Sequence, residues 1–136
     1  MKSELPLAGN ILVVEDNEIN RFVVNKLLST WGIHVELAEN GQVAVEKVTS
    51  RPYDIILMDV HMPVMDGFEA ARTIRSYNDG QFKSLPIIAL TASVMQNDLD
   101  EIMLSGMDGY IIKPFVQAEL RLKISSLLKD VPLNKN

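Results

Sequence analysis

Five side chains in this 136-residue chain have the types that phosphoryl or metal chemistry needs, and each stands at the end of an apolar run. Glu15 and Asp16 close the first run, Asp59 a second, Thr91 a third and Lys113 a fourth. Brought together, three carboxylates and one ammonium leave two negative charges, which one divalent cation neutralises. The donors are all oxygen and the chain has no cysteine, so the fitting ion is Mg²⁺, or Mn²⁺ in its place. One or two carboxylates, a backbone carbonyl and several waters would hold it. Such an ion receives phosphate oxygens, and a lysine with a threonine hydroxyl completes the cradle of a phosphoryl group. Asp59 then has two open roles: a metal ligand alone, or also the nucleophile that takes up the phosphoryl as an acyl phosphate. The acyl phosphate changes that position from about −1 to about −2, which the cation and Lys113 are placed to offset.

Each residue also has a plainer role. Glu15-Asp16 before Asn17 suits the cap of a helix that begins near Glu18. Asp66 before Gly67 suits a turn and a helix cap. His61, two residues past Asp59, is more often a surface loop residue than a ligand, and Thr91 and Lys113 taken singly are uninformative. Their joint placement at successive run ends is much harder to attribute to chance.

The elements that must position them follow from hydrophobic period. Asn10 to Glu15, Asp54 to Met58, Pro86 to Leu90 and Gly109 to Ile112 are β-branched and leucine runs without alternation, which suits strands covered on both faces. His34 to Ala38 is a weaker, alternating fifth strand. Between them lie helical spacings. The first helix has an apolar face of Ile19, Phe22, Val23, Leu27 and Trp31 and is stopped by Gly32; the second, from about Gly41 to Ser50, uses Val43, Ala44 and Val48. The third, from about Phe68 to Ser76, uses Phe68, Ala71 and Ile74; the fourth uses Val94, Met95, Leu99, Ile102 and Met103; the fifth uses Leu120, Ile124, Leu127 and Leu128. Five strands alternating with five helices require crossovers, hence a three-layer α/β fold, doubly wound as (βα)5 around a five-stranded parallel sheet. In such sheets the ligand site lies beyond the carboxyl ends of the strands, where the five side chains above stand.

Composition bounds the rest. Hydrophobic residues at 47% and charged residues at 23% describe an ordinary globular chain of one domain. A net charge of −5 argues against broad attachment to nucleic acid or anionic lipid. No apolar run is long enough to cross a membrane, and with no cysteine the default compartment is the cytoplasm. Residues 1–9 and 131–136 read as terminal tails around a domain at 10–130, and fewer than ten residues follow Leu128, so no output domain is expected on this chain.

Taken as a set, Ile11-Leu-Val-Val-Glu-Asp-Asn17, Met58-Asp-Val-His-Met-Pro-Val-Met-Asp-Gly67, Ile88-Ala-Leu-Thr-Ala92 and Tyr110-Ile-Ile-Lys-Pro114 resemble the receiver domain of two-component response regulators, over Asn10 to about Leu128. The resemblance implies a flavodoxin-like strand order of 2-1-3-4-5. It implies Asp59 as phosphoacceptor, Asp16 and Glu15 as Mg²⁺ acids, and the His61 carbonyl as a further metal ligand. Lys113, Thr91 and the Ala92 backbone N–H would bind phosphoryl oxygens. Thr91 and Tyr110 would form the switch, with the Lys113-Pro114 bond cis. Phosphorylation would draw Thr91 inward, let Tyr110 fill the space and remodel the face around the fourth helix and fifth strand. His61 and Ser93 stand where the family tunes acyl-phosphate lifetime. The domain would catalyse its own Mg²⁺-dependent phosphorylation and dephosphorylation, with no independent turnover. The stretches Glu15 to Asn20 and Met62 to Gly67 are most similar to receivers of hybrid sensor histidine kinases, which implies a kinase-core histidine as donor and a histidine phosphotransfer domain as acceptor.

Three rivals make different demands. An aspartate-nucleophile phosphatase of the haloacid dehalogenase type needs a second Asp where this chain has His61. A flavin carrier needs a phosphate cradle where this chain has Glu15-Asp-Asn-Glu18. A receiver fold kept only as a docking module, independent of phosphorylation, predicts that a pocket residue is lost, and none is.

Overall fold

Strands rich in Ile, Leu, Val and Ala are stable where both faces are covered. In the computed structural model, which describes residues 6–128, three such runs are the inner strands Asn10–Val14 (β1), Ile55–Asp59 (β3) and Ile87–Thr91 (β4). The alternating run His34–Ala38 (β2) and the short Gly109–Ile112 (β5) are the edges. All neighbours pair in parallel in the order β2-β1-β3-β4-β5, which is the expected topology. Strand ends differ from expectation by one residue: β1 stops at Val14, and β3 and β4 each run one residue further, to Asp59 and Thr91.

The period of two then sorts each inner strand. Ile11, Val13, Ile55, Leu57, Ile88 and Leu90 pack against Val24 and Leu28 of helix Glu18–Thr30 (α1) and Leu120 and Ile124 of helix Gln117–Leu128 (α5). Leu12, Val14, Ile56, Met58, Ile87 and Ala89 pack against helices Gly41–Val48 (α2), Gly67–Ser76 (α3) and Gln96–Leu104 (α4). Arg75 of α3 ties the far ends of this second layer. Its guanidinium donates to the carbonyls of Gly106, Phe82 and Leu85, each at 2.7 Å, and to Asp108 at 2.9 Å.

Two helical faces differ from expectation. On α1, Ile19, Phe22 and Val23 are exposed, at 72%, 65% and 51%, while Val24 and Leu28 are buried and Leu27 and Trp31 pack beside them. The helix carries two apolar stripes, and periodicity alone does not say which meets the sheet; α1 is turned about one position from the expected face. On α4, Ile102 is buried and Leu99 packs against the core, whereas Met103 is exposed, and exposed Val94 and Met95 precede the helix. Caps follow side-chain chemistry: Asn17, Asn40 and Asp66 accept from Asn20, Val43 and Glu69 N–H at 2.9 Å each, so Glu15 and Asp16 are released from capping. Gly32, with φ 95°, ends α1 as expected, and Ile33 N–H donates back to the Leu28 carbonyl at 3.2 Å. Leu7 N–H donates to the Trp31 carbonyl at 2.7 Å, so residues just ahead of β1 lie against the domain.

The loop from β3 to α3 combines strain with close approach. Val64 is exposed at φ 72°, a conformation costly for a β-branched side chain, and Met65 N–H closes the turn on the Pro63 carbonyl at 2.8 Å. At Gly67 a Cβ would overlap the Asp59 carbonyl oxygen, so only glycine lets α3 start against the end of β3. Opposite effects are expected in urea unfolding. Val64→Asn gains about 1 kcal/mol by relieving the turn, and Gly67→Ala loses about 1–3 kcal/mol; a Val64→Asn midpoint at or below that of wild type would refute the first, and a Gly67→Ala midpoint at or above it the second.

Candidate functional site

Glu15 is the first residue beyond β1, held to the edge strand by its N–H to the Ala38 carbonyl at 3.0 Å. Its side chain is buried and accepts from Asn17 N–H at 3.1 Å and from the Lys113 ammonium at 3.0 Å. Asp59, the last residue of β3, is also buried; it accepts from His61 N–H at 3.4 Å and lies 3.2 Å from the same ammonium. Lys113 follows β5, where its N–H donates to the Thr91 carbonyl at 2.8 Å, and its bond to Pro114 is cis. Glu15, Asp59 and Lys113 continue the strand registers of Val13, Leu57 and Ile111, whose side chains all face α1 and α5, so the three meet on one side of the sheet's carboxyl edge. Asp16 is exposed and completes the group: ligand oxygens of Glu15, Asp16 and Asp59 all lie within 4.8 Å of one another.

The electrostatics are those of a crowded acid pair. Burial and the adjacent Glu15 charge push the Asp59 carboxyl up to about 6, against the pull of Lys113. Burial also raises Glu15, but its hydrogen bonds to Lys113 and Asn17 outweigh that and leave it below the usual carboxylate range. Burial lowers Lys113, and its bonds to the two acids more than restore it, so it stays charged. One ammonium against three carboxylates leaves buried negative charge uncompensated, and the donors are all hard oxygens; this cluster fits Mg²⁺. The His61 ring stands outside it, edge-on to Phe68 with centroids 5.9 Å apart.

Residues 11–125 match the sequence profile of the response regulator receiver domain. The chain belongs to that family. It is 42% identical over 117 residues, 85% of this chain, to "Hybrid signal transduction histidine kinase G" of Dictyostelium discoideum, and spans 3% of that relative's length. Among solved structures, the receiver domain of sensor histidine kinase PA1611 from Pseudomonas aeruginosa, described with a magnesium ion in its active-site cleft, superposes with a TM-score of 0.83 at 39% identity, covering 91% of this chain and all of that one. The receiver domain of Ssk1 from Saccharomyces cerevisiae, solved with the histidine phosphotransfer protein Ypd1, gives 0.86 at 34% identity over 96% of this chain and 95% of that one.

Not every expected residue of this receiver joins the cluster. Thr91 is buried, in the register of Ile87 and Ala89, and its hydroxyl donates to the Ser93 carbonyl and accepts from Ser93 N–H, both at 3.1 Å. The Ser93 hydroxyl in turn donates to Asp98 at 2.5 Å and accepts from Met95 N–H at 3.3 Å, so a polar chain runs from Thr91 to the first turn of α4. Tyr110 lies on β5, 39% exposed. Ala92 lines, with Glu15, Lys113, Val23, Leu27 and Phe115, a cleft of about 520 Å³. Sequence reasoning missed Arg21 of α1, whose guanidinium donates to the carbonyls of Glu15 at 2.8 Å and Asp16 at 3.1 Å. The signal was its place in the second turn, since helical side chains lean toward the N-terminus and reach the preceding loop.

The raised Asp59 carboxyl makes stability depend on pH. The folded chain holds that proton more tightly than the unfolded one, so wild type loses stability as pH rises from about 4 to about 6 and keeps the penalty above. Asp59→Asn removes it. In chelator-treated buffer near neutral pH the variant is expected to be more stable by about 2 kcal/mol, with the gap closing below about pH 4. Thermal unfolding across pH checks this, and a gap that does not change with pH would show that the Asp59 carboxyl is not raised.

Proposed function

We propose that this receiver takes a phosphoryl group from a phosphohistidine onto Asp59 and passes on a conformational signal or the phosphoryl itself. The observation that carries this is the position of the Asp59 carboxylate: buried at a strand end, 3.2 Å from one ammonium and inside an acid cluster that fits Mg²⁺. A carboxylate oxygen of Asp59 attacks phosphorus, the P–O bond forms as the P–N bond of the donor breaks, and the donor imidazole, already protonated on its second ring nitrogen, leaves with the P–N electron pair as a neutral ring. Burial and Glu15 raise the Asp59 carboxyl only to about 6 without a cation, so at neutral pH it is ionised and attacks without a separate base. Lys113 holds a phosphoryl oxygen and offsets the added charge. Glu15, Asp16, Asp59 and the His61 carbonyl would hold Mg²⁺, with Mn²⁺ as a substitute. When bound, that ion supplies charge neutralisation at the transferring oxygens. The Thr91 hydroxyl exchanges its Ser93 carbonyl for a phosphoryl oxygen, the Ala92 N–H binds another, and Tyr110 turns inward from its exposed position. Because Thr91 is chained through Ser93 to Asp98, that exchange loosens the start of α4, a helix with few core anchors.

The donor is a histidine of a kinase core and the acceptor a histidine phosphotransfer domain, in keeping with the kinase relative and the Ypd1-bound structural neighbour. The compartment is the cytoplasm, where the ATP that charges such histidines is available; no helix among the described residues is long and apolar enough to cross a membrane. The His61 ring leans on Phe68 and is no substitute for the second acid of a haloacid dehalogenase-type phosphatase. Incubation with acetyl phosphate and Mg²⁺, read by intact mass, is expected to add one phosphoryl to wild type and none to Asp59→Asn. Equal labelling of both proteins would refute Asp59 as acceptor. Sustained release of phosphate from small esters would favour the phosphatase.

A further inference from the structure

Two of the three acids that fit a metal, Glu15 and Asp16, sit on the loop between β1 and α1, which has a strong reason to open. Glu15, Asp16 and Asp59 crowd their oxygens within 4.8 Å, and among the described residues their ion pairs are with Lys113 alone, through Glu15 and Asp59. Asp16 is exposed, so the loop could relieve repulsion by swinging that carboxylate into water. One side chain closes that route. A single guanidinium nitrogen of Arg21, Nη1, donates to two successive carbonyls, Glu15 at 2.8 Å and Asp16 at 3.1 Å. Two carbonyls aimed at one donor set the orientation of both peptide planes that flank Asp16, and with them the directions from which the Glu15 and Asp16 side chains depart. Arg21 is itself anchored, since its N–H donates to the Asn17 carbonyl at 2.9 Å and Asn17 N–H donates to Glu15 at 3.1 Å.

We propose that Arg21 is a positioning residue for cation binding: it clamps the β1–α1 loop so that Glu15 and Asp16 stay converged on Asp59. Among the described residues its guanidinium donates to carbonyls of that loop and to no carboxylate, so it acts through the two acids. This rests on the reading of the cluster as a Mg²⁺ site. Its sign separates it from simple electrostatics. A nearby positive charge opposes a cation, so if charge were all that Arg21 contributed, its removal would tighten Mg²⁺ binding. A lost clamp weakens binding instead, in the way that residues supporting metal ligands usually do.

The test is calorimetric titration of the metal-free full-length chain with MgCl₂ at fixed ionic strength, for wild type, Arg21→Met and Arg21→Lys, with far-UV circular dichroism of each. Arg21→Met is expected to weaken Mg²⁺ binding about tenfold. Arg21→Lys, which keeps the charge but lacks the rigid fork, should fall between it and wild type. Arg21→Met binding as tightly as wild type, or more tightly, would overturn the clamp and leave the receiver site intact. Loss of the folded spectrum in Arg21→Met would make Arg21 a stability residue and overturn it too. If wild type itself binds no Mg²⁺, the fault lies with the site and not with Arg21 alone.

Discussion

Two carboxylates on adjacent strands, Glu15 after β1 and Asp59 at the end of β3, share one ammonium from beyond β5. Like charges this close and this buried repel, and water is too scarce there to screen them. The proton that Asp59 holds up to about pH 6 is the measure of that stress. The surroundings relieve it in part: Lys113 spans both acids, Asn17 and His61 donate backbone N–H groups, and the loop before α1 is tied to Arg21. The negative charge left over is what fits the cluster to a divalent cation.

The parallel fold makes this arrangement affordable. Inner strands of Ile, Leu, Val and Ala place two apolar layers under the carboxyl edge, so the acids rest on a rigid base and only their loops are free to respond. The two sides of the sheet are used differently. Glu15, Asp59 and Lys113 meet toward α1 and α5, whereas Thr91 follows the register of the α4 side and binds the Ser93 backbone. From there the hydroxyl of Ser93 reaches Asp98. That polar path leads from Thr91 to a helix that buries Ile102 and packs Leu99, and leaves Met103 and Leu104 exposed.

The legible parts of this protein were local or periodic. Unbroken apolar runs marked strands buried on both faces, Gly32 marked the end of α1, Asp66 marked a cap, and residues at strand ends marked the acids, Thr91 and Lys113. The illegible parts depend on rotation or on distant backbone. Ile19, Phe22 and Val23 have a helical spacing as good as that of Val24 and Leu28, and only contact with Ile11, Val13 and Ile33 selects the second stripe. Arg21 drew no reading from the sequence because its partners are main-chain carbonyls, which carry no residue identity.

Sequence alone determined the order of elements, the parallel sheet and the identity of the acid, hydroxyl and ammonium groups at its edge, because hydrophobic period and strand-end position are properties of neighbouring residues. Tertiary structure decided which of those groups meet. It joined Lys113 to Glu15 across 98 positions, withheld the Thr91 hydroxyl from the acids and turned the His61 ring to Phe68. It also decided which apolar faces stay in water, on α1 and α4. Distances between strands, and the rotation of a helix upon them, are set by packing of the whole core, and no stretch of neighbouring residues contains that information.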